Sequence, residues 1–156
     1  GKARFCQPRM GFHCRPFTVY KFRSMYIDMK GTGFTQEGHD PRITRVGRFI
    51  RKCRLDELPQ LFNVLKGDMS MIGPRPESMS LTEWYEKDVP FFHYRHVVRP
   101  GITGWAQVEQ GYAAEVEGMI EKLEYDFYYI KNFSLWLDVL ILVRTIRIVL
   151  FGIGSR

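Results

Sequence analysis

The sequence predicts a helix-rich α/β (α+β) fold in which a small β-hairpin sheet packs against several helices. Three observations carry that reading. Phe17-Thr18-Val19-Tyr20-Lys21-Phe22-Arg23 is dense in β-branched and aromatic residues, and Gly11 to Pro16 supplies a turn before it, which suits a hairpin over residues 4–23. Apolar residues then return at helical spacing over 43–50, 58–65, 77–88 and 115–131. Finally, Leu135 to Phe151 is the most apolar segment, but Asp138, Arg144 and Arg147 interrupt it. Those charges make a spanning helix costly. They suit a helix lying in a membrane interface with its cations reaching for head groups; a core helix of a soluble domain is the other reading. The chain has 156 residues, enough to bury a core, and is expected to form a single domain over 1–156.

Taken in order, the second hairpin strand would put Val19, Lys21 and Arg23 on one face and Tyr20 and Phe22 on the other. Lys21 and Arg23 would then either point together at an anion or stand solvated on an open face. Residues 28–42 read as a polar loop broken by Gly31, Gly33, Gly38 and Pro41. From Ile43 an amphipathic helix is expected, with Ile43, Val46, Phe49 and Ile50 on one stripe and Arg42, Arg45, Arg48, Arg51 and Lys52 opposite. Two adjacent carboxylates follow, Asp56 and Glu57. Asp56 has the chemistry of an N-cap, and Pro59 fits a first turn, where a missing N–H costs nothing. Leu58, Leu61, Phe62 and Leu65 would form the buried stripe of this helix, and Gly67 would end it. The helix dipole would help keep the carboxylates ionised. On local features, a capped helix and a reaction centre are equally good accounts of the acid pair. In Gly73-Pro74-Arg75-Pro76, two prolines fix the backbone around one arginine, a residue suited to bidentate phosphate binding. Met79, Leu81, Trp84 and Tyr85 are expected inward on the next helix. Met119, Leu123, Phe127 and Ile130 are expected to do the same over 115–131.

Composition narrows the function. Hydrophobic content of 45% excludes a disordered chain, and a net charge of +6 points to an anionic partner: nucleic acid, a nucleotide phosphate or an anionic membrane. Three cysteines, Cys6, Cys14 and Cys53, form no paired framework and fit a reducing compartment. His13 beside Cys14 lacks the second ligand pair that a zinc site needs. Acids set beside arginines suggest phosphate chemistry assisted by a divalent metal. A basic nucleic-acid-binding module is the alternative from another class, supported by the arginine run of 42–54. The acids Asp56 and Glu57 directly beside that run count against it. The opening Gly1-Lys2-Ala3 lacks a methionine, so the chain is expected to be a piece of a longer protein.

Six motifs occur in order: Lys21-Phe22-Arg23-Ser24-Met25, Asp40-Pro41-Arg42-Ile43-Thr44-Arg45-Val46-Gly47, Leu55-Asp56-Glu57-Leu58-Pro59-Gln60, Gly67-Asp68-Met69-Ser70, Gly73-Pro74-Arg75-Pro76 and Arg99-Pro100-Gly101-Ile102-Thr103-Gly104-Trp105. Together they resemble the bacterial sugar transferase family, the monotopic phosphoglycosyl transferases that start exopolysaccharide and related glycan assembly. The ending, Val149 to Arg156, resembles the exopolysaccharide subgroup associated with exosortase systems. The resemblance implies transfer of a sugar-1-phosphate from a UDP-sugar to polyprenyl (undecaprenyl) phosphate at the cytoplasmic face of the bacterial inner membrane. It implies Mg2+, a covalent aspartyl-phosphosugar intermediate and release of UMP. Carried onto this chain, it makes Asp56 the nucleophile and Glu57 the Mg2+ ligand. Lys21, Arg51 and Arg75 become substrate-binding residues, with Asp126 and Asp138 at further acidic positions of the site. The implied partners are a UDP-sugar, polyprenyl phosphate and a membrane interface, without nucleic acid, and self-association is left open. The resemblance also implies an N-terminal re-entrant anchor helix, expected to lie before Gly1 and so to be missing from this sequence. Donor selectivity is expected from the loops 28–42 and 99–115.

Overall fold

In the computed structural model, residues 3–27, 40–110 and 116–151 are described. Most of the loop expected at 28–42, the end of the 99–115 loop and the last five residues lie outside them. The predicted α/β, helix-rich class holds. Strand β1 (Arg4–Met10) pairs antiparallel with β2 (Pro16–Phe22) in a register running from Arg4 opposite Phe22 to Met10 opposite Pro16. A 3-10 turn at Phe12–Cys14 joins them, with His13 and Cys14 both at positive φ. Alternation puts Gln7, Arg9, Val19 and Lys21 on the same face, and Val19 is buried there.

Helix α1 (Arg45–Lys52) starts at Thr44, whose hydroxyl accepts from the Gly47 amide at 2.8 Å. The chain then turns sharply at Arg54, which adopts left-handed backbone angles (φ 55°). A 3-10 segment, Leu55–Gln60, runs into α2 (Leu61–Lys66), and Gly67 ends it in the left-handed conformation that glycine adopts without a Cβ clash. This corrects the expected cap. The turn begins at Arg54, whose carbonyl accepts from the Glu57 amide at 3.2 Å. Asp56 therefore lies inside the first turn and makes no cap bond.

The burial of this region is also the reverse of the expectation. Leu58, Leu61, Phe62 and Leu65 face outward, Leu65 with 83% of its surface exposed, and so do Phe49 and Val46 (72%) on α1. The inward side instead carries Asp56, Glu57, Gln60 and Asn63. Asn63, fully buried, explains why. Its side-chain oxygen accepts from Tyr20 N at 3.2 Å and its amide donates to the Thr18 carbonyl at 2.7 Å. The side chain thus pairs with the free edge of β2 as a third strand would. Once polar contacts hold this face against the hairpin, the leucines can only turn out.

A second, two-stranded parallel sheet pairs β3 (Ser70–Ile72) with β4 (Gly101–Thr103). The Gly73-Pro74 turn is stitched to β4 by Gly73 N donating to the Thr103 carbonyl at 2.9 Å and Gly101 N to the Pro74 carbonyl at 2.9 Å. The backbones come so close that a Cβ on Gly101 would sit 2.2 Å from Gly73 N. Helix α3 (Met79–Asp88) starts at Ser78. It buries Tyr85 and Thr82, while Trp84, expected inward, turns outward and stacks on Tyr85. A 3-10 segment at Phe92–Val97 and α4 (Trp105–Glu109) follow. Helices α5 (Val116–Asn132) and α6 (Leu135–Phe151) complete the chain. One core cluster joins Tyr85, Val89, Phe92, Met119 and Leu123; a second joins Ile72, Tyr129, Leu137 and Ile141. On α6 only Leu137 and Ile141 are fully buried, and Trp136 is 78% exposed beside Leu135, Val143, Ile146 and Leu150. Among the described residues, no helix is long and apolar enough to cross a membrane.

Candidate active site

The 3-10 segment presents its acid pair to the inward face of the hairpin and to the Gly73–Pro76 turn. Glu57 is the centre of charge pairing. Its Oε1 accepts from Lys21 Nζ at 3.1 Å and from Arg75 Nη2, and its Oε2 accepts from Arg75 Nη1 at 3.3 Å. This is a fork-type pair with a second cation added. Burial alone would raise the Glu57 carboxyl, but Arg75 and Lys21 outweigh it and hold Glu57 well below the usual carboxylate range. Glu57 in turn raises Arg75. Burial lowers Lys21 to about 8, against the opposing pull of Glu57.

Asp56 is buried yet makes no hydrogen bond to a described residue. Burial raises its pKa, and the charge of Glu57 raises it further, opposed by Lys21, Arg51 and Arg75. Adjacent carboxylates are thereby driven apart. One is locked into ion pairs, while the other is unbonded and more basic, the pattern expected where two acids have different tasks. The helix-dipole expectation for Asp56 does not survive, because this burial works against ionisation. Arg51 feels the Asp56 charge, but its Nε donates to Ser24 Oγ at 2.8 Å rather than to a carboxylate.

The structure brings together Lys21, Asp56, Glu57 and Arg75, with Arg51 beside them. It does not bring Asp126 or Asp138 into contact with them. Asp126 is 2% exposed, and its Oδ2 accepts from Arg95 Nη2 at 2.7 Å and Nε at 3.0 Å. Arg95 Nη2 also donates to the Arg75 carbonyl at 2.9 Å. Glu77 Oε1, which accepts from Lys122 Nζ at 2.6 Å, lies 3.8 Å from Arg95 Nη1. Burial opposes the charge on Glu77, but Lys122 and Arg95 bring its pKa down to about 2. Asp126 thus belongs to a buried ion network behind Arg75. Asp138 accepts from the Tyr129 hydroxyl at 2.9 Å, tying α6 to α5.

Arg9 is a site neighbour that the sequence reading left without a role. Gln7 Oε1 accepts from its Nε at 3.2 Å and its Nη2 at 2.8 Å, and the Pro76 carbonyl accepts from Nη1 at 2.8 Å. It makes no ion pair with a described residue, and burial followed by the charge of Arg75 lowers its pKa. Strand alternation with Lys21 across the hairpin was the signal available for it. Among the described residues no cluster of three or more metal-ligating side chains occurs. The donor set is the acid pair alone. That fits Mg2+, which takes few protein carboxylates and fills its shell from substrate phosphates and water.

A carboxylate pair under several cations, reached by a proline-framed arginine, is an arrangement for phosphoryl chemistry. The family model for bacterial sugar transferases matches residues 1–152. This chain belongs to the bacterial sugar transferase family. Among similar proteins, the UDP-N-acetylgalactosamine-undecaprenyl-phosphate N-acetylgalactosaminephosphotransferase of Aeromonas hydrophila is 58% identical over 158 residues, covering 100% of this chain and 37% of the relative. The UDP-glucose:undecaprenyl-phosphate glucose-1-phosphate transferase of Escherichia coli (strain K12) is 43% identical over 94% of this chain and 32% of its own length. The uncharacterized sugar transferase EpsL of Bacillus subtilis (strain 168) is 48% identical, and the match takes in 97% of this chain and 72% of the relative. The transferase chain therefore spans about a third of the length of the first two relatives.

Proposed function

We propose that this sugar transferase moves a sugar-1-phosphate from a UDP-sugar to polyprenyl (undecaprenyl) phosphate, at the cytoplasmic face of the bacterial inner membrane, as the first step of exopolysaccharide or a related glycan. The observation that carries the reading is the divergence of Asp56 and Glu57: a buried, unbonded, more basic carboxylate beside one already neutralised. The names of the Aeromonas and Escherichia relatives support the donor and acceptor classes.

In the first half-reaction an Asp56 oxygen attacks the sugar-bearing phosphorus. The bond from that phosphorus to the bridging oxygen breaks, and UMP leaves with the electron pair. In the second, a phosphate oxygen of the lipid attacks the same phosphorus, the bond to Asp56 breaks, and the carboxylate is restored. No proton needs to be moved in either step. Lys21 and Arg75 turn from Glu57 to the donor phosphates, where they match charge developing on the phosphoryl oxygens. Arg51 lies on the Asp56 side, anchored by Ser24, and with Lys21 opposes the upward pull of burial and Glu57 on that carboxyl. Glu57 would hold Mg2+, whose contribution when bound is to neutralise diphosphate charge. Arg95 and Asp126 act behind Arg75 and set its backbone.

The nucleic-acid alternative has less to stand on, since it gives the buried acid pair no role, and two cations of the run are turned elsewhere, Arg42 forked onto Asp40 and Arg51 bonded to Ser24. The test is UMP release from a panel of UDP-sugars with Mg2+, followed by intact mass of the protein without acceptor. The expected result is a phosphosugar adduct on wild type and none on Asp56→Asn, whose circular dichroism stays that of wild type. An Asp56→Asn protein that still turned over at the wild-type rate would remove Asp56 as nucleophile.

A further inference from the structure

An apolar groove of about 190 Å3 runs between the Leu55–Gln60 segment with α2 on one side and α6 on the other, with β3, β4 and α4 beneath. Leu58, Leu61, Met71, Val108, Ile148 and Val149 form its apolar wall. Both flanks continue outward into exposed apolar residues, Phe62 and Leu65 on α2 and Ile146 and Leu150 on α6. Thr103 and Thr145, the hydroxyls in the wall, are bonded to each other at 2.7 Å, so they make little demand on an occupant.

The groove also has charged lining. Arg54 and Glu57, on either side of Asp56 in the sequence, both face it, so an anionic head held there would lie close to Asp56. Arg54 holds a left-handed backbone (φ 55°), a conformation that a non-glycine residue rarely adopts. Its side chain makes no hydrogen bond or ion pair with a described residue, in contrast to Lys21 and Arg75, which Glu57 occupies. A strained, unpaired cation lining an apolar trough matches one kind of molecule: a long apolar chain ending in a compact anion.

We propose that this groove seats the first isoprene units of the lipid phosphate acceptor, with Arg54 gripping its phosphate beside Asp56. The inference rests on the transferase reading and deepens it by giving donor and acceptor separate footholds. The donor phosphates take Lys21 and Arg75 on the hairpin side, and the acceptor arrives from the α6 side, where the exposed apolar surface lies. The acceptor phosphate oxygen then takes the position on the phosphorus that UMP vacated, in line with the bond to Asp56.

The experiment uses the full-length protein in detergent and separates the half-reactions. The donor arm measures the single-turnover burst of UMP without acceptor. The acceptor arm measures discharge of the adduct against undecaprenyl phosphate concentration. Val149→Trp, which fills the groove, and Arg54→Gln, which removes the head-group cation, are each expected to leave the donor burst within about two-fold of wild type. Each should raise the acceptor KM by about ten-fold or more, since each removes one contact with the acceptor without touching the donor. Arg54→Gln decides the matter alone if the tryptophan disturbs folding, because Arg54 packs in neither core cluster. An unchanged acceptor KM in Arg54→Gln overturns the proposal and leaves the groove to another segment or a second copy. Equal losses in both arms would make Arg54 and the groove structural support, which also overturns it. A wild-type protein that gives no UMP burst sinks the transferase reading itself.

Discussion

Replacing Asp126 by asparagine separates a substrate contact from a structural one. Asp126 gives one oxygen to two N–H groups of Arg95, at 2.7 and 3.0 Å, in a site where both side chains are almost fully buried. Asparagine keeps the shape and an acceptor oxygen but removes the charge, so Arg95 is left in the core with only Glu77, 3.8 Å away, opposing it. Breaking a buried pair by removing one partner costs about 3–5 kcal/mol. Burial already pushes the Asp126 carboxyl up against the pull of Arg95, so the neutral amide is tolerated better than that range implies. The expected cost is about 3 kcal/mol, a fall in Tm of roughly 6–12 °C for a chain of this size. The assay is thermal unfolding with and without UDP-sugar, together with donor KM below the transition. Arg95 also holds the Arg75 carbonyl, so a modest rise in KM accompanies the loss of stability. An unchanged Tm with a large rise in donor KM would refute this reasoning and return Asp126 to the substrate site.

Donor binding should weaken as pH rises through about 8, where Lys21 gives up its proton, and Lys21→Arg should move that limb upward because arginine does not titrate there. On the acid side, the rate of adduct formation should fall as pH drops toward the Asp56 titration, which burial and Glu57 raise above the ordinary aspartate value, since Asp56 must be ionised to attack. A profile flat from pH 7 to 10 would contradict the Lys21 assignment. The double change Phe62→Ser, Leu65→Ser should alter stability by less than about 0.5 kcal/mol, because both side chains are exposed, while shifting the protein from vesicles to the supernatant in a flotation assay. Asn63→Ala should cost about 2–3 kcal/mol in denaturant unfolding, since it leaves a buried carbonyl and a backbone N–H of β2 unpaired.

The sequence by itself determined most of the elements and the family. Hairpin, tail helix and α5 fell where periodicity and turn residues put them, because strand alternation, helical spacing and glycine or proline punctuation are local properties of the chain. The acid pair, Lys21 and Arg75 came to notice through the family motifs, since on local features a capped helix accounted for Asp56 and Glu57 as well as a reaction centre did. Tertiary structure decided what those local signals could not. An apolar stripe at helical spacing says that a helix has two faces, not which one meets the protein. Asn63, bonding the free edge of β2, turned the polar face of α2 inward and the leucines out. Whether a carboxylate is a cap, a network partner or a nucleophile depends on which cations the fold carries to it. Glu57 received Lys21 and Arg75, Asp126 received Arg95, and Asp56 was left buried without a hydrogen bond. Those partners are separated by 36, 18 and 31 positions along the chain. Only the packing of hairpin, turn and helix brings such distant charges together, and it is that packing which gives two neighbouring acids different chemistry.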